Sequence, residues 1–180
     1  MKKLIILVLC ILLIGGLSGC GPTNIDESID EFGKNPLSKK VISNFSAKDL
    51  EGNEITNEIF KENDLTVINI WGTECPPCIE EIPELQKLQD EVKDKKVKVI
   101  GVVGDKDIEA AKKILSTKKA NYTNIIPDEN LEKEVVYNFD YIPATIFVNS
   151  KGEVLDTFIP GATNFESIKT IVENILSDEN

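Results

Sequence analysis

The sequence predicts an α/β fold: a central mixed β-sheet flanked by helices on both faces, with a β-hairpin at its N-terminal edge. Three observations carry that expectation. Two largely apolar runs, Leu65–Trp71 and Val97–Val103, have the composition of strands covered on both faces. Between and after them the apolar spacing changes to the helical period, as in Phe165, Ile168, Ile171, Val172, Ile175 and Leu176. Strand and helix patterns therefore alternate, which places helices on the two faces of a sheet.

The remaining elements follow in order. Val41 to Leu50, the turn Glu51-Gly52-Asn53 and Glu54 to Thr56 form the edge hairpin. Cys75 to about Val92 reads as a helix, bent near Pro83, with Leu85 and Leu88 continuing its apolar face. Ile108 to Thr117 is a helix with Ile108, Ala111, Ile114 and Leu115 turned inward. Asn124 to Ile126 is a short strand, followed by a helix over Asn130 to Tyr137. Ala144 to Asn149 and Val154 to Ile159 are strands joined by Ser150-Lys151-Gly152.

Three parts organise the chain: residues 1–20 as an export signal, 21–37 as a flexible tether and 38–180 as the folded domain. Lys2 and Lys3 precede an apolar core, Leu4 to Ile14, too short to span a bilayer comfortably. It ends in Leu17-Ser18-Gly19-Cys20, which resembles the bacterial lipoprotein signal. That resemblance implies that Cys20 is lipidated and becomes the mature N-terminus, with Cys10 discarded. The segment after it is polar and acidic, broken by Gly21, Pro22, Gly33 and Pro36. Export places the domain where disulfides form and persist.

The chemistry centres on Trp71-Gly72-Thr73-Glu74-Cys75-Pro76-Pro77-Cys78. A buried strand feeds a tight turn, and the turn opens a helix with a Cys-x-x-Cys at its mouth. Two thiols in a first helical turn can close a small disulfide ring. Unpaired N–H groups and the helix dipole stabilise a thiolate there. Prolines fit because first-turn N–H groups have no intrahelical partner to lose. The competing assignment is half of a zinc site, but structural zinc takes four ligands and the chain has no His. That absence also removes His-based acid–base catalysis and a Ser-His-Asp triad. The chain has no Arg, and a formal charge of −11 argues against nucleic acid as a partner and favours a neutral or basic protein client.

The order of strand, Cys-x-x-Cys helix, βα units, Tyr141-Ile142-Pro143-Ala144-Thr145, hairpin and final helix resembles thioredoxin. With Asn69-Ile70-Trp71-Gly72-Thr73 before the cysteines and Glu81-Ile82-Pro83 after them, it resembles more narrowly the membrane-anchored TlpA/ResA-type thiol–disulfide oxidoreductases, over roughly residues 38 to 180. The resemblance implies that Cys75 is the nucleophile and that Cys78 resolves the mixed disulfide as the second half of a Cys75–Cys78 redox pair. It implies that Glu81, on the helix face of Cys78, helps proton transfer, and that Pro143 is a cis-proline facing the disulfide. Glu81 also reads as a solvated first-turn acid held by the helix dipole, and the cysteine pair as a purely structural disulfide. The family commonly has Trp directly before the first Cys; here Glu74 stands there, a modulating charge that opposes thiolate formation. Asn69 occupies the place where thioredoxin keeps a buried Asp.

The function expected is reduction of disulfides in exported client proteins, at the outer face of a bacterial cytoplasmic membrane. The resemblance implies a membrane thiol protein as electron donor and clients such as apocytochrome c. Acids flank the cysteines, which favours a reductant over a strong oxidant. No cofactor and no metal is expected. Two alternatives stay open. A peroxiredoxin-like thiol peroxidase would need Thr or Ser three residues before the reactive Cys, where Gly72 stands. A metal carrier on the same fold would use a wider Cys spacing and a His.

Overall fold

The computed structural model describes residues 34–178. The export signal, Cys20 and residues 21–33 of the expected tether lie outside them. A seven-stranded sheet forms the centre, built from β1 (Ser46–Asp49), β2 (Glu54–Thr56), β3 (Leu65–Trp71), β4 (Val97–Val103), β5 (Thr123–Ile126), β6 (Ala144–Asn149) and β7 (Val154–Pro160). The strand order is β2-β1-β5-β4-β3-β6-β7, so the N-terminal hairpin is at one edge as expected. β3, β4 and β5 run parallel, while β6 pairs antiparallel with β3 and β7 with β6. Among the described residues five helices complete the fold: α1 (Glu58–Lys61), α2 (Pro76–Val92), α3 (Ile108–Lys118), α4 (Glu129–Glu134) and α5 (Phe165–Asp178).

The two faces of the sheet carry separate cores. On one face Val67, Trp71, Val99, Val103 and Phe147 pack against α2, α3 and α5 through Ile82, Leu85, Leu88, Leu115, Ile168 and Val172. On the other, Ile68, Ile70, Ile100, Val102 and Ile146 meet Phe60 of α1, Leu131 of α4 and the segment carrying Leu37 and Ile42. Covering on both faces explains why every residue of β3 is buried, and why its sequence does not alternate. Crossovers β3–α2–β4 and β4–α3–β5 build outward on one face. The chain then returns through α4 on the other face to place β6 beside β3. The carboxyl end of β3 is therefore flanked by strands reached in opposite directions, the place where open α/β sheets hold their sites.

Several boundaries differ from the sequence expectations. The helix expected over 130–137 is a short α4 followed by a 3-10 turn, Val136–Asn138. Ile108, expected inward, is 39 % exposed because it is the first residue of α3, where the helix has only begun to turn onto the sheet. The short α1 carries a single buried side chain, Phe60, too little periodicity to read in advance. Packed structure also begins before residue 38. Asn35 and Leu37 are buried, Asn35 Nδ2 donates to Leu155 O at 2.7 Å, and Lys39 N donates to Val154 O at 2.8 Å.

Candidate redox site

The site begins where β3 ends. Gly104 N donates to Trp71 O at 2.8 Å, holding the ends of β3 and β4 together beyond their ladder. The chain then turns at Gly72, where a Cβ would meet Ile142 Cδ1 at 3.1 Å and Asp105 Oδ2 at 3.3 Å. Asp105 fixes the next residue twice, accepting from Thr73 N at 2.6 Å and Thr73 Oγ1 at 2.7 Å. Cys75 is the N-cap of α2. Its sulfur accepts from Cys78 N at 3.3 Å, and Pro76 and Pro77 occupy the first helical turn, which has no N–H bond for them to break.

Cys75 and Cys78 form a disulfide with an S–S distance of 2.09 Å and a Cα–Cα distance of 5.3 Å. The two sulfurs are not equivalent. Cys78 is fully buried in the core beneath α2, whereas Cys75 is half-buried and opens onto the surface. Pro143 follows a cis peptide bond with Ile142, and Ile142 O lies 3.7 Å from Cys75 Sγ. With both sulfurs oxidised there is no S–H, so this is a contact rather than a hydrogen bond.

A groove of about 730 Å³ starts at Cys75. Its walls are apolar, with Val136, Tyr137, Phe139 and Ile142 facing Trp71 and Ile70, and Tyr137 is 67 % exposed. Among the described residues, its charged lining is Glu74 and Asp105, with no lysine. Glu74 is exposed, as a residue one place before the N-cap should be. Sequence reasoning did not find Asp105 or the wall from Val136 to Phe139. These come from the ends of β4 and the 3-10 turn, and only the strand order brings them to Cys75.

Beneath the disulfide lies Glu81, one helical turn after Cys78 and 2 % exposed. It is not a solvated first-turn acid. Oε1 accepts from Asn69 Nδ2 at 2.8 Å, and Oε2 accepts from Thr163 N at 2.9 Å. Burial pushes its carboxyl up from the ordinary 4.5 to about 7, against these two donors, which favour the carboxylate. Its own burial, and after it the charge of Glu81, push the Tyr122 phenol well above its usual value. A buried carboxyl that titrates near neutrality, one turn below a reactive sulfur, is equipped to take or give a proton at physiological pH. Among the described residues no cluster of three or more His, Cys, Asp or Glu is disposed to hold a metal.

The family model for Redoxin matches residues 37–172. Thiol-disulfide oxidoreductase ResA of Halalkalibacterium halodurans is 31% identical over 120 residues, 67% of each chain. Sporulation thiol-disulfide oxidoreductase A of Bacillus subtilis is 27% identical over 132 residues, 72% of this chain and 78% of that protein. Among solved structures, StoA from Bacillus subtilis matches with a TM-score of 0.59 at 25% identity, covering 72% of this chain and 96% of that one. The thioredoxin domain of a thiol-disulfide oxidoreductase from Bacteroides vulgatus has the same fold, with a TM-score of 0.64 at 23% identity over 77% of this chain and 96% of that one.

Proposed function

Because the chain belongs to the Redoxin family, in its TlpA/ResA-type thioredoxin-like branch, and is a thiol–disulfide oxidoreductase, we propose that it reduces disulfides of exported client proteins through Cys75 and Cys78. The observation that carries this reading is the asymmetry of the pair, with Cys75 open to an apolar groove and Cys78 wholly enclosed. In the reduced protein the Cys75 thiolate attacks one sulfur of the client disulfide. A Cys75–client bond forms, and the other client sulfur leaves as a thiolate that takes up a proton. Cys78 then gives its proton to Glu81 and attacks Cys75 Sγ. The Cys75–Cys78 bond forms and the second client thiolate departs. Two electrons have passed from the protein dithiol to the client, leaving the oxidised form described above. A second dithiol protein, at the membrane, must return them.

The apolar groove would hold the chain around the client cysteine, with Pro143 and the Ile142 carbonyl beside the reacting sulfur. Direction follows from charge. A strong oxidant is one whose thiolate is unusually stabilised, and here Glu74 and Asp105 border Cys75, with no lysine among the described residues lining the groove. Location follows from the lipoprotein-like signal: lipid on Cys20 would hold the domain outside the cytoplasmic membrane.

The test is a trap in the full chain. Cys78→Ser should accumulate a Cys75-linked client on non-reducing gels, which Cys75→Ser should not form. Failure of both the trap and client reduction by the dithiol protein would sink the reading. Equilibration with glutathione should give a potential nearer the about −270 mV of thioredoxin than the about −120 mV of a strong oxidant. Cys20→Ser should release the protein from the membrane or leave an unprocessed precursor.

A further inference from the structure

We propose that Asn69 is a positioning residue for thiol exchange, fixing the Glu81 carboxyl beneath the redox helix and tying it to the strand that follows Pro143. The proposal rests on the reading of Glu81 as the proton acceptor of Cys78.

Asn69 sits within β3, 1 % exposed, directly opposite Thr145 of β6 and Gly101 of β4. Its Nδ2 carries two hydrogens, and both are used. One goes to Glu81 Oε1 at 2.8 Å and the other to Thr145 Oγ1 at 2.9 Å. Thr163 N holds Glu81 Oε2, and Gly161 N donates to Pro143 O at 2.9 Å. These bonds close a ring through four elements: α2 by Glu81, β3 by Asn69, the start of β6 by Pro143 and Thr145, and the β7–α5 loop by Gly161 and Thr163. The carboxyl that meets the Cys78 helix face is thereby held in register with the Pro143 loop that meets Cys75.

The residue type matters. An ionised Asp at 69 would offer only acceptors to an acceptor, whereas the amide donates twice and has no proton to lose. Asn69 therefore leaves Glu81 as the one titrating group of the ring. The titratable groups that face Glu81 are Cys78, on its own helix, and Tyr122 from the segment before β5. β3 and β6 contribute the neutral Asn69 and Thr145, and the β7–α5 loop contributes a backbone N–H.

The experiment follows the pH dependence of client-peptide release from the preformed Cys75 mixed disulfide, together with the carboxyl titration of Glu81 by carbon NMR in the full chain. Asn69→Ala removes a donor that favours the ionised form, so both midpoints should rise by about one pH unit. Thr145→Val, which keeps shape and frees only the far prong, should move them the same way by less, and serves if Asn69→Ala does not fold. In a Glu81→Gln background Asn69→Ala should add no further shift in the release profile, which a merely structural residue would not obey. Unmoved midpoints in folded Asn69→Ala and Thr145→Val, with the Glu81→Gln profile altered, would overturn the proposal alone. An unaltered Glu81→Gln profile would remove the proton-acceptor reading and the proposal with it.

Discussion

Burying Glu81 must make the protein's stability depend on pH. Its carboxyl is raised from 4.5 to about 7 in the folded chain, while in the unfolded chain it returns to its ordinary value. A raised folded value means that the folded state holds the proton more tightly. Its contribution is therefore fully present below about pH 4.5 and is lost as pH rises through about 7. The interval of about 2.5 pH units, at about 1.4 kcal/mol each, sets a loss of about 3 kcal/mol. That is a large fraction of the stability of an ordinary domain. Glu81→Gln has no proton to lose, so its stability should lack this fall. The amide cannot satisfy the site, because one of its two ends is a donor facing Asn69 Nδ2 or Thr163 N. It should thus carry a constant penalty of about 1–3 kcal/mol for the unpaired groups. The readout is the slope and not the offset. In urea denaturation of the oxidised protein at pH 5 to 8, the variant should be the less stable form at pH 5 and gain on the wild type by up to about 3 kcal/mol by pH 8. A difference that stays flat across that range would refute the assignment of Glu81 as a buried, neutral-titrating acid.

Two further outcomes follow from the same geometry. A Cβ at Gly101 would lie 1.9 Å from Asn124 Oδ1 and 3.0 Å from Trp71 Nε1, so Gly101→Ala should break the buried Trp71–Asn124 bond, destabilise the fold by about 2–4 kcal/mol and alter the fluorescence of Trp71; denaturation monitored at Trp71 reads both, and wild-type stability would contradict the packing. Glu74 is an exposed anion on the groove beside Cys75, so peptides with Lys next to the disulfide should be reduced faster than those with Glu there, by up to about fivefold at low salt; stopped-flow rates for the two peptides that are equal in wild type, or unequal to the same degree in Glu74→Gln, would show that Glu74 does not select clients.

Much of the fold could be read from the chain because its signals are local. Continuous apolar runs gave β3 and β4 their bounds, and the 3.6-residue stripe from Phe165 to Leu176 gave α5 its facing. The Cys-Pro-Pro-Cys turn carried its chemistry in four adjacent residues. What escaped depends on which strands become neighbours. Asn69 is twelve residues from Glu81, seventy-six from Thr145, and thirty-two from Gly101 along the chain, and only the β4-β3-β6 order brings them together. For the same reason Asn69 read as the loss of an acid, when in the fold its amide is a two-pronged donor. Glu81 was legible as a residue on the Cys78 face, but not as a buried one. Its burial comes from the β7–α5 loop folding over it, and nothing in the loop Gly161-Ala162-Thr163-Asn164 announces that contact.

A row of buried polar residues crosses this sheet, and the row explains why a charged side chain can be tolerated there. Thr145, Asn69, Gly101 and Asn124 stand side by side across β6, β3, β4 and β5. Each would be a poor choice in a strand buried on both faces. Together they are satisfied: Asn69 binds Thr145 and Glu81, while Asn124 accepts from Trp71 Nε1 at 2.9 Å and donates to Tyr122 O at 2.9 Å. Gly101 supplies the space that Asn124 enters. Trp71, two residues beyond Asn69, is thereby locked at the end of β3, from which the turn to Cys75 departs. The row does two jobs at one level of the sheet. On the β3–β6 side it gives a buried carboxyl donors without supplying a cation, so its proton affinity stays near neutrality instead of falling as it would in an ion pair. On the β4–β5 side it fixes the platform that aims the cysteines. A row of well-packed aliphatic residues would be more stable, since burying Glu81 costs the fold energy above pH 7. Under the proposed function the cost has a use, because the proton at Glu81 is within one turn of Cys78 on the same face of α2.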